Sequence, residues 1–303
     1  MSKKRDFNKN AGSKRNKSVL VASESQGLYT TEKLLFEANK LKMQTKWFNP
    51  YESLLELKTH HSTNTSQLSF EGLYFLRTTG TRYDDFDLSV ATHFEDLGLK
   101  VTNPLSVIHD FRSKDRQALF FKRHKLPSVA SLLYRGKLND LYWNEMVNLS
   151  PNEQYVLKMV RGNQGTGVNL ISGLQSLKSI LETFHALKDQ KFLLQPYIEH
   201  KKEWRIFVIK NEIIATIERS ISKDDFRGNS KRSKGKLLKK LSPEIENMIL
   251  KAAALSGLDY CGIDLMETKN GPLFLEINAV PGFLQAEELS GINIARELLT
   301  RLS

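Results

Sequence analysis

The sequence is short of what secreted, membrane-spanning or thiol-based proteins need. Its 303 residues hold one cysteine, Cys261. That excludes an intramolecular disulfide framework and suits a reducing compartment. Cys261 sits in an apolar run and reads as a small buried side chain. No apolar run approaches the roughly 20 residues of a membrane span. The basic N-terminus is followed only by the short run 18–22 before Ser23 and Glu24, too short for a signal-peptide core. A cytoplasmic, non-membrane protein is the expectation. No Gly-Lys-Ser/Thr follows a glycine-rich loop, so there is no P-loop. The paired His60-His61 has no second ligand at metal spacing. No Ser/His/Asp or Cys/His set offers a covalent nucleophile.

Charge is also missing from most of the chain. The net charge of +11 is concentrated in residues 1–17 and 223–240, which carry +6 each. The remainder is near neutral, so the overall basicity is weak evidence for a nucleic-acid-binding body. Residues 1–17 lack apolar periodicity and read as a disordered basic tail. The tail is either a solubilising segment or a tether to RNA, the ribosome or another polyanion. The apolar fraction of 40% is that of a globular chain with ample core.

What is present begins with strand–helix alternation. Apolar runs at 18–22, 44–48 and 73–77 read as strands. Leu34, Leu35, Ala38 and Leu41 fall at helical spacing between the first two, and 89–97 fits a helix ending at Gly98. This predicts an α/β unit with a small parallel sheet over 18–103. Asn103-Pro104 marks a boundary, and 104–303 forms the rest, divided at 195 into a central and a C-terminal lobe. Helices are expected over 105–111 and 114–124, an alternating strand over 128–133 and a helix over 138–148. Lys114 and Arg116 near the start of the second helix are either surface charge or phosphate ligands.

Four features of 104–303 carry chemistry. Strand 154–160 contains Lys158 and runs into RGNQGTG, residues 161–167. The bare amides of Gly162, Gly165 and Gly167, with Gln164 between, can approach phosphate oxygens closely, although a plain hairpin loop would look the same. Because it joins two strands, it is not a dinucleotide fingerprint. A lysine within an apolar strand should have a buried anionic partner. Next comes Gln195-Pro196-Tyr197-Ile198-Glu199. Pro196 offers a carbonyl and Ile198 an N–H, which together can read a nucleobase edge or simply end a strand. Then 204–209 and 213–217 alternate as an antiparallel pair. The basic stretch 220–240 is too long for an idle connection and resembles a lid; its Arg227, Asn229 and Arg232 could grip phosphate or carboxylate. Ser242-Pro243-Glu244 opens a helix that ends at Gly257.

The fourth feature is the stretch 261–282, CGIDLMETKNGPLFLEINAVPG. Asp264, Glu276 and Asn278 are awkward in core strands. A two-residue Asn270-Gly271 turn would put Asp264 and Glu276 on opposite faces. A three-residue turn with Gly271 left-handed would set Asp264 opposite Glu276 and Gly262 opposite Asn278. The second is the expectation. It gathers three oxygen donors on one face, a set that suits Mg²⁺ rather than zinc. The alternative is an amphipathic hairpin with its polar face in water.

In order, these are a lysine strand, a glycine loop, a base-reading hinge, a basic lid and a carboxylate hairpin. The chain resembles the ATP-grasp superfamily, in its RimK-like (LysX-like) branch of carboxylate–amine ligases. The likeness is carried by LKMVRGNQGTGV (157–168), ERSISKDDFRGN (218–229), GIDL (262–265), GPLFLEINAVPG (271–282), SGINIA (290–295) and GLYTTEKLLFEA (27–38). The resemblance implies two α+β lobes clamping ATP, behind the N-terminal α/β unit. It implies that Lys114 and Lys158 bind phosphates under the loop of Gly162, Gln164, Gly165 and Gly167. Pro196, Tyr197 and Ile198 would form the adenine hinge, with Glu203 on the ribose. Arg227 and Asn229 would meet the γ-phosphate and incoming carboxylate. Asp264, Glu276 and Asn278 would hold two Mg²⁺ or Mn²⁺ ions. The implied partners are ATP, an amino acid and a carboxylate-bearing peptide, protein or small molecule, in a homo-oligomer. The implied activity is amide formation through an acyl phosphate, with glutamate added to a protein or peptide C-terminus as in the branch's namesake. The alternative is a non-catalytic nucleotide-binding protein associated with RNA or ribosomes. The chain departs from the namesake in a shorter segment before Glu203, and in having 280–285 (VPGFLQ) where the namesake has Ser-Pro-Gly-Leu-Glu-Gly.

Overall fold

The computed structural model describes residues 17–55, 57, 71–82, 84–162, 165–187, 191–221 and 235–303. The basic tail 1–16, His60-His61, Gln164, and the lid residues Arg227, Asn229 and Arg232 lie outside the described residues.

The first unit runs β1 (Ser18–Ala22), α1 (Tyr29–Lys40), β2 (Gln44–Phe48), β3 (Gly72–Leu76), α2 (Phe86–Asp96) and β4 (Lys100–Thr102). Its sheet is parallel throughout, in the order β2-β1-β3-β4. Helices α3 (Leu105–Ile108) and α4 (Lys114–Arg123) follow, with a 3-10 turn over His109–Arg112 between them. A second sheet comes from β5 (Leu132–Tyr134), α5 (Asp140–Leu149), β6 (Gln154–Met159), β7 (Val168–Ser172), α6 (Leu174–Ala186) and β8 (Phe192–Pro196), ordered β5-β8-β6-β7 and antiparallel. The third uses β9 (Lys202–Ile209), β10 (Glu212–Ser220), β11 (Gly235–Leu237), α7 (Pro243–Ser256), β12 (Tyr260–Thr268) and β13 (Gly271–Asn278), ordered β11-β10-β9-β12-β13 and antiparallel. Helices α8 (Leu284–Ser290) and α9 (Ile294–Leu302) close the chain.

The expected strand over 128–133 shrinks to β5. Residues 127 and 128 instead reach the third sheet, where Phe274 N–H donates to the Pro127 carbonyl at 2.8 Å and Ser128 bridges Phe274. The short elements β4, β11 and α8 fall below the length at which periodicity is readable.

Strand period 2 explains how the units join. All five residues of β1 are buried, as befits a central strand covered on both faces. Leu20 and Ala22, with Tyr74 and Leu76 of β3, enter one cluster with Ile206, Val208 and Ile263 of the third sheet. Val19 and Val21, with Leu73 and Phe75, enter another with Phe207, Ile209 and the α9 stripe Ile294, Ala295, Leu298, Leu299 and Leu302. The N-terminal unit and the C-terminal lobe thus share their cores. The second sheet and its helices close their own core around Met146, Tyr155, Leu157, Ile171, Leu177, Leu181, Phe192 and Leu194, while Ile108, Phe111, Phe120, Phe121 and Leu126 join the first shared cluster.

Polar ties lock the shared interface. The Asn103 side chain is fully buried. Its Nδ2 donates to the carbonyls of Tyr260 (2.8 Å) and Ala279 (2.7 Å), and its Oδ1 accepts from Tyr260 N–H (2.9 Å). The residue read as a boundary therefore brackets both strands of the carboxylate hairpin. Arg77 donates to the Pro281 carbonyl at 2.8 Å. Glu287 accepts from the Tyr29 hydroxyl at 2.5 Å and from Ala295 N–H at 3.1 Å. Helix α7 has the ends the sequence indicates: Ser242 caps Ile245 N–H, Pro243 is the first helical residue, and Gly257 takes the left-handed C-cap at φ +68°.

Replacing Asn103 by Ala strands three buried backbone groups, and an unmet buried group costs about 1–3 kcal/mol. Urea titration of Asn103→Ala should show a loss of roughly 3 kcal/mol or more. A loss under about 1 kcal/mol would contradict the bracket.

Candidate active site

The hairpin β12–β13 pairs Asp264 with Glu276 and Gly262 with Asn278, as expected. The device differs from the expected three-residue turn. The turn has two residues, Lys269 and Asn270, with Thr268 paired to Gly271 at φ +102°. The Thr268 hydroxyl donates to the Gly271 carbonyl at 2.6 Å and accepts from Asn270 N–H at 3.2 Å, which closes the shorter turn. The register then shifts between Asp264 and Leu265, leaving Leu275 as the extra residue of a β-bulge. Without that residue Asp264 would face Leu275, and Glu276 would point to the other side.

Gly262 makes room on this face. A Cβ there would lie 2.8 Å from the Arg205 Cζ. The Arg205 Nη1 donates to Asp264 Oδ2 at 2.6 Å, both residues being buried. Asn278 Oδ1 accepts from Val280 N–H at 2.8 Å. Arg219, opposite Glu203 in the β9–β10 register, donates from Nε to Gln285 Oε1 at 3.0 Å. Burial lowers its pKa while the Asp264 carboxylate pulls the other way. Gln285 lies in the stretch where the chain departs from its namesake. Cys261 is buried beside the site, and burial pushes its thiol up to about 12, so it is an inert core side chain.

A cavity of about 570 Å³ opens between the second sheet, α4 and the hairpin. Lys114, Lys158, Gly162 and Gly165 line one end. Pro196, Tyr197, Ile198 and Glu203 line the wall at the end of β8, and Glu276 faces them from β13. Asp264 and Asn278 lie beyond its lining, on the hairpin face shared with Glu276; Gly167 also lies outside the lining. Lys114 Nζ donates to the Gly162 carbonyl at 3.0 Å. Gly167 needs its glycine: φ is +75°, and a Cβ would lie 2.8 Å from Met159 Cγ.

Lys158 answers its expected anionic partner differently. Among the described residues no carboxylate forms an ion pair with it. Desolvation and the Lys114 charge push its pKa down to about 8, while Glu276 and Glu203 act through space to raise it. Lys114, Lys122 and Lys158 thus line one cavity with Asp115, Glu203 and Glu276. Tyr197 N–H donates to the Gln154 carbonyl at 2.8 Å, fixing the hinge to β6.

His200 is the residue sequence reading missed. It lines the cavity, with its side chain only 6% exposed. Nδ1 meets the Ile198 carbonyl at 2.8 Å and Nε2 meets Glu203 Oε1 at 3.0 Å. Both partners are acceptors, an arrangement that the doubly protonated ring satisfies at both nitrogens. Burial lowers its pKa, but the Glu203 hydrogen bond and the Ile198 carbonyl outweigh burial and leave it raised. The only sequence signal was a histidine three residues before Glu203, which has no periodicity of its own.

The model of the RimK-like ATP-grasp domain matches residues 112–302. This chain belongs to the RimK-like ATP-grasp family. It is 27% identical over 289 residues to a probable alpha-L-glutamate ligase 1 of Shewanella amazonensis, covering 93% of each chain. It is 28% identical over 292 residues to a probable alpha-L-glutamate ligase of an Enterobacter species, covering 93% of this chain and 94% of the relative. In structure it resembles the ATP-grasp ligase PsnB, solved with a phosphomimetic variant of its minimal precursor, Mg and ADP (TM-score 0.73, 17% identity, 95% of this chain and 98% of that one). It also resembles the ATP complex of D-alanine–D-alanine ligase from Bacillus anthracis (TM-score 0.70, 17% identity, 94% and 96%). The fold is ATP-grasp, and this RimK-like protein is an ATP-grasp ligase.

The His200–Glu203 pair makes stability depend on pH. A folded pKa above the ordinary 6.5 gives stabilisation that is complete below 6.5 and is lost as pH rises through the folded value. The stability difference between wild type and His200→Gln, from urea midpoints, should therefore be largest near pH 6 and shrink towards pH 9. A difference independent of pH would show that the ring is neutral.

Proposed function

We propose that this RimK-like ligase activates a substrate carboxylate with ATP and joins it to the amine of an amino acid. One observation carries the reading: Lys158 and Glu276, from different sheets, line one cavity together with the Pro196–Ile198 hinge. Cationic groups, a carboxylate and a backbone hinge lining one cavity are what a nucleoside triphosphate requires. Adenine would lie against Pro196 and Ile198, the ribose near Glu203, and the phosphates between Lys114, Lys158 and the amides of Gly162 and Gly165.

The hairpin donors fit a hard cation. Asp264, Glu276 and Asn278 present only oxygens, and the first two are paired across the strands. When bound there, Mg²⁺ would neutralise charge on the phosphate oxygens. Two Mg²⁺ ions are our reading; Mn²⁺ would satisfy the same donors.

The chain's own groups then do the following. Lys114 and Lys158 draw charge from the β- and γ-phosphate oxygens as the substrate carboxylate attacks the γ-phosphorus and ADP leaves. The product is an acyl phosphate. The amine attacks its carbonyl carbon, phosphate departs, and the amine gives up a proton as the amide forms. Arg227 and Asn229, outside the described residues, keep the role the resemblance implies, at the γ-phosphate and incoming carboxylate. The apolar walls of the cavity limit water at the mixed anhydride. Glutamate as the amino acid, added to a protein or peptide end, is supported by the names of the relatives. The chain's own 280–285 (VPGFLQ) differs from the run in the branch's namesake, so the screen below covers the other amino acids as well. Among the described residues no helix is long and apolar enough to cross a membrane. We place the enzyme in the cytoplasm as a homo-oligomer, with the basic tail available for polyanion contact.

The test is ADP release screened over the amino acids with candidate peptide acceptors, with products weighed by mass spectrometry. Glu276→Gln should lower ADP release at least about a hundredfold, because one charged donor to the phosphate-bound cation is gone. Release equal to wild type would overturn the reading.

A further inference from the structure

The glycine loop between β6 and β7 is held from outside its own lobe. Its first residue, Arg161, donates from Nη1 to Asp85 Oδ1 at 2.8 Å and from Nη2 to Asp85 Oδ2 at 2.6 Å. Nη1 also donates to the Arg82 carbonyl at 2.6 Å. This is a two-pronged guanidinium–carboxylate pair, the geometry that gives arginine its directional strength. Its side chains are 10% and 26% exposed, so solvent screens it less than a surface pair.

Asp85 is a residue of the N-terminal unit, and its backbone is unusual. It caps α2 in the left-handed region at φ +52° without capping the helix through its side chain. A non-glycine residue keeps that conformation where its surroundings hold it. Its carboxylate makes no cap bond to α2 and instead meets two arginines and His109. Arg161 is closest, and Arg112 Nη1 and His109 Nε2 lie at 3.6 Å. Burial raises the Asp85 pKa, but the Arg161 hydrogen bonds and charge, with Arg112 and His109, outweigh it and keep the carboxyl below its usual range. Arg112 is already committed to Asp87 and Thr78, which leaves Arg161 as the principal partner of Asp85.

The pair spans a seam. The second sheet and its helices have a core of their own, whereas Ala91 of α2 packs into the cluster shared by the other two units. Among the described residues no apolar cluster joins the second sheet directly to the N-terminal unit; α4, which packs into the shared cluster, meets the base of the loop through Lys114 N–H to the Val160 carbonyl at 2.8 Å. Arg161 is followed at once by Gly162, which lines the cavity and whose carbonyl takes the Lys114 ammonium. The start of the loop is thus gripped by Asp85 on one side and Lys114 on the other.

We propose that Asp85 is a positioning residue for the nucleotide: by holding Arg161 it sets the height of the glycine loop over the cavity. The N-terminal unit then contributes to ATP binding without touching ATP. This rests on the nucleotide reading of the cavity given above.

The test uses the full-length chain, with Asp85→Asn, Arg161→Gln and the double variant. Two quantities are measured: amide hydrogen exchange of Gly162, Gly165, Thr166 and Gly167 without nucleotide, and the calorimetric Kd for Mg²⁺–AMP-PNP. Each single variant should speed loop exchange and weaken AMP-PNP binding by about tenfold, and the double variant should be no worse than either single, the mark of one shared interaction. If Asp85→Asn fails to fold in a thermal melt, Arg161→Gln alone carries both measurements, since its side chain reaches Asp85 from the loop side. Loop exchange unchanged from wild type overturns the proposal whatever the affinity. Faster exchange with an unchanged Kd also overturns it and leaves Asp85 as a structural tie only. Additive losses in the double variant would assign the effect of Asp85 to Arg112 and His109 and overturn it as well. Absence of AMP-PNP binding by the wild type would instead overturn the nucleotide reading itself, and with it the proposal.

Discussion

Leu275 has no partner across its hairpin, and the chemistry of the cavity depends on that. One unpaired residue moves the register by one position. It brings Glu276 and Asn278 onto the face that already carries Asp264. The same shift places Gly262 beside Asn278, and the missing side chain is filled by the Arg205 guanidinium. Arg205 in turn holds Asp264 at 2.6 Å. A two-residue turn without the bulge would satisfy the backbone equally well and scatter the carboxylates over two faces. Bulges recur at functional sites because they re-aim side chains while leaving the ladder mostly intact.

Around that hairpin the molecule divides its cohesion unequally. The N-terminal parallel sheet and the C-terminal antiparallel sheet alternate side chains into two common cores. Their union is reinforced by buried polar brackets such as Asn103 and Arg77. The second sheet stands apart, with a core built from its own strands and helices. It meets the rest through polar and backbone contacts: Lys191 to Asp115 at 2.7 Å, Lys114 N–H to the Val160 carbonyl at 2.8 Å, and Arg161 to Asp85. The cavity lies at this seam. Its lysines come from α4 and the second sheet, Glu203 and Glu276 come from the third sheet, and Asp115 on α4 is already paired with Lys191. A full salt bridge to Lys158 would have stabilised its charge and closed the space between the walls.

Much of the site was readable in the sequence because its residues break local patterns. A lysine in an apolar strand, glycines between two strands, and carboxylates two apart in a β run each violate a simple periodicity. The glycine requirement at Gly167 follows from backbone geometry that a loop of this composition announces. His200 violated nothing, since a histidine in a polar turn is ordinary. Its role arises only when the chain between Ile198 and Glu203 folds back so that one ring reaches both. Asp85 was equally silent: it lies in a polar stretch ahead of α2, and its side chain makes no cap bond to that helix. Asn103 read as a boundary and proved to be a clamp, because its partners Tyr260 and Ala279 are more than 150 residues away.

By itself the sequence determined the local elements and the kind of chemistry. Period 2 and period 3.6, helix caps such as Ser242 and Gly257, and the choice of oxygen donors are all set by neighbours along the chain. It also determined that Asp264, Glu276 and Asn278 belong to one hairpin. Only the tertiary structure decided how that hairpin is registered, which cations face it and which unit holds the glycine loop. The physical reason is range. A bulge is chosen by how both faces of a strand pack against the rest of the sheet. A pair such as Arg161–Asp85, or Tyr29–Glu287, is chosen by the meeting of surfaces that no stretch of sequence contains together.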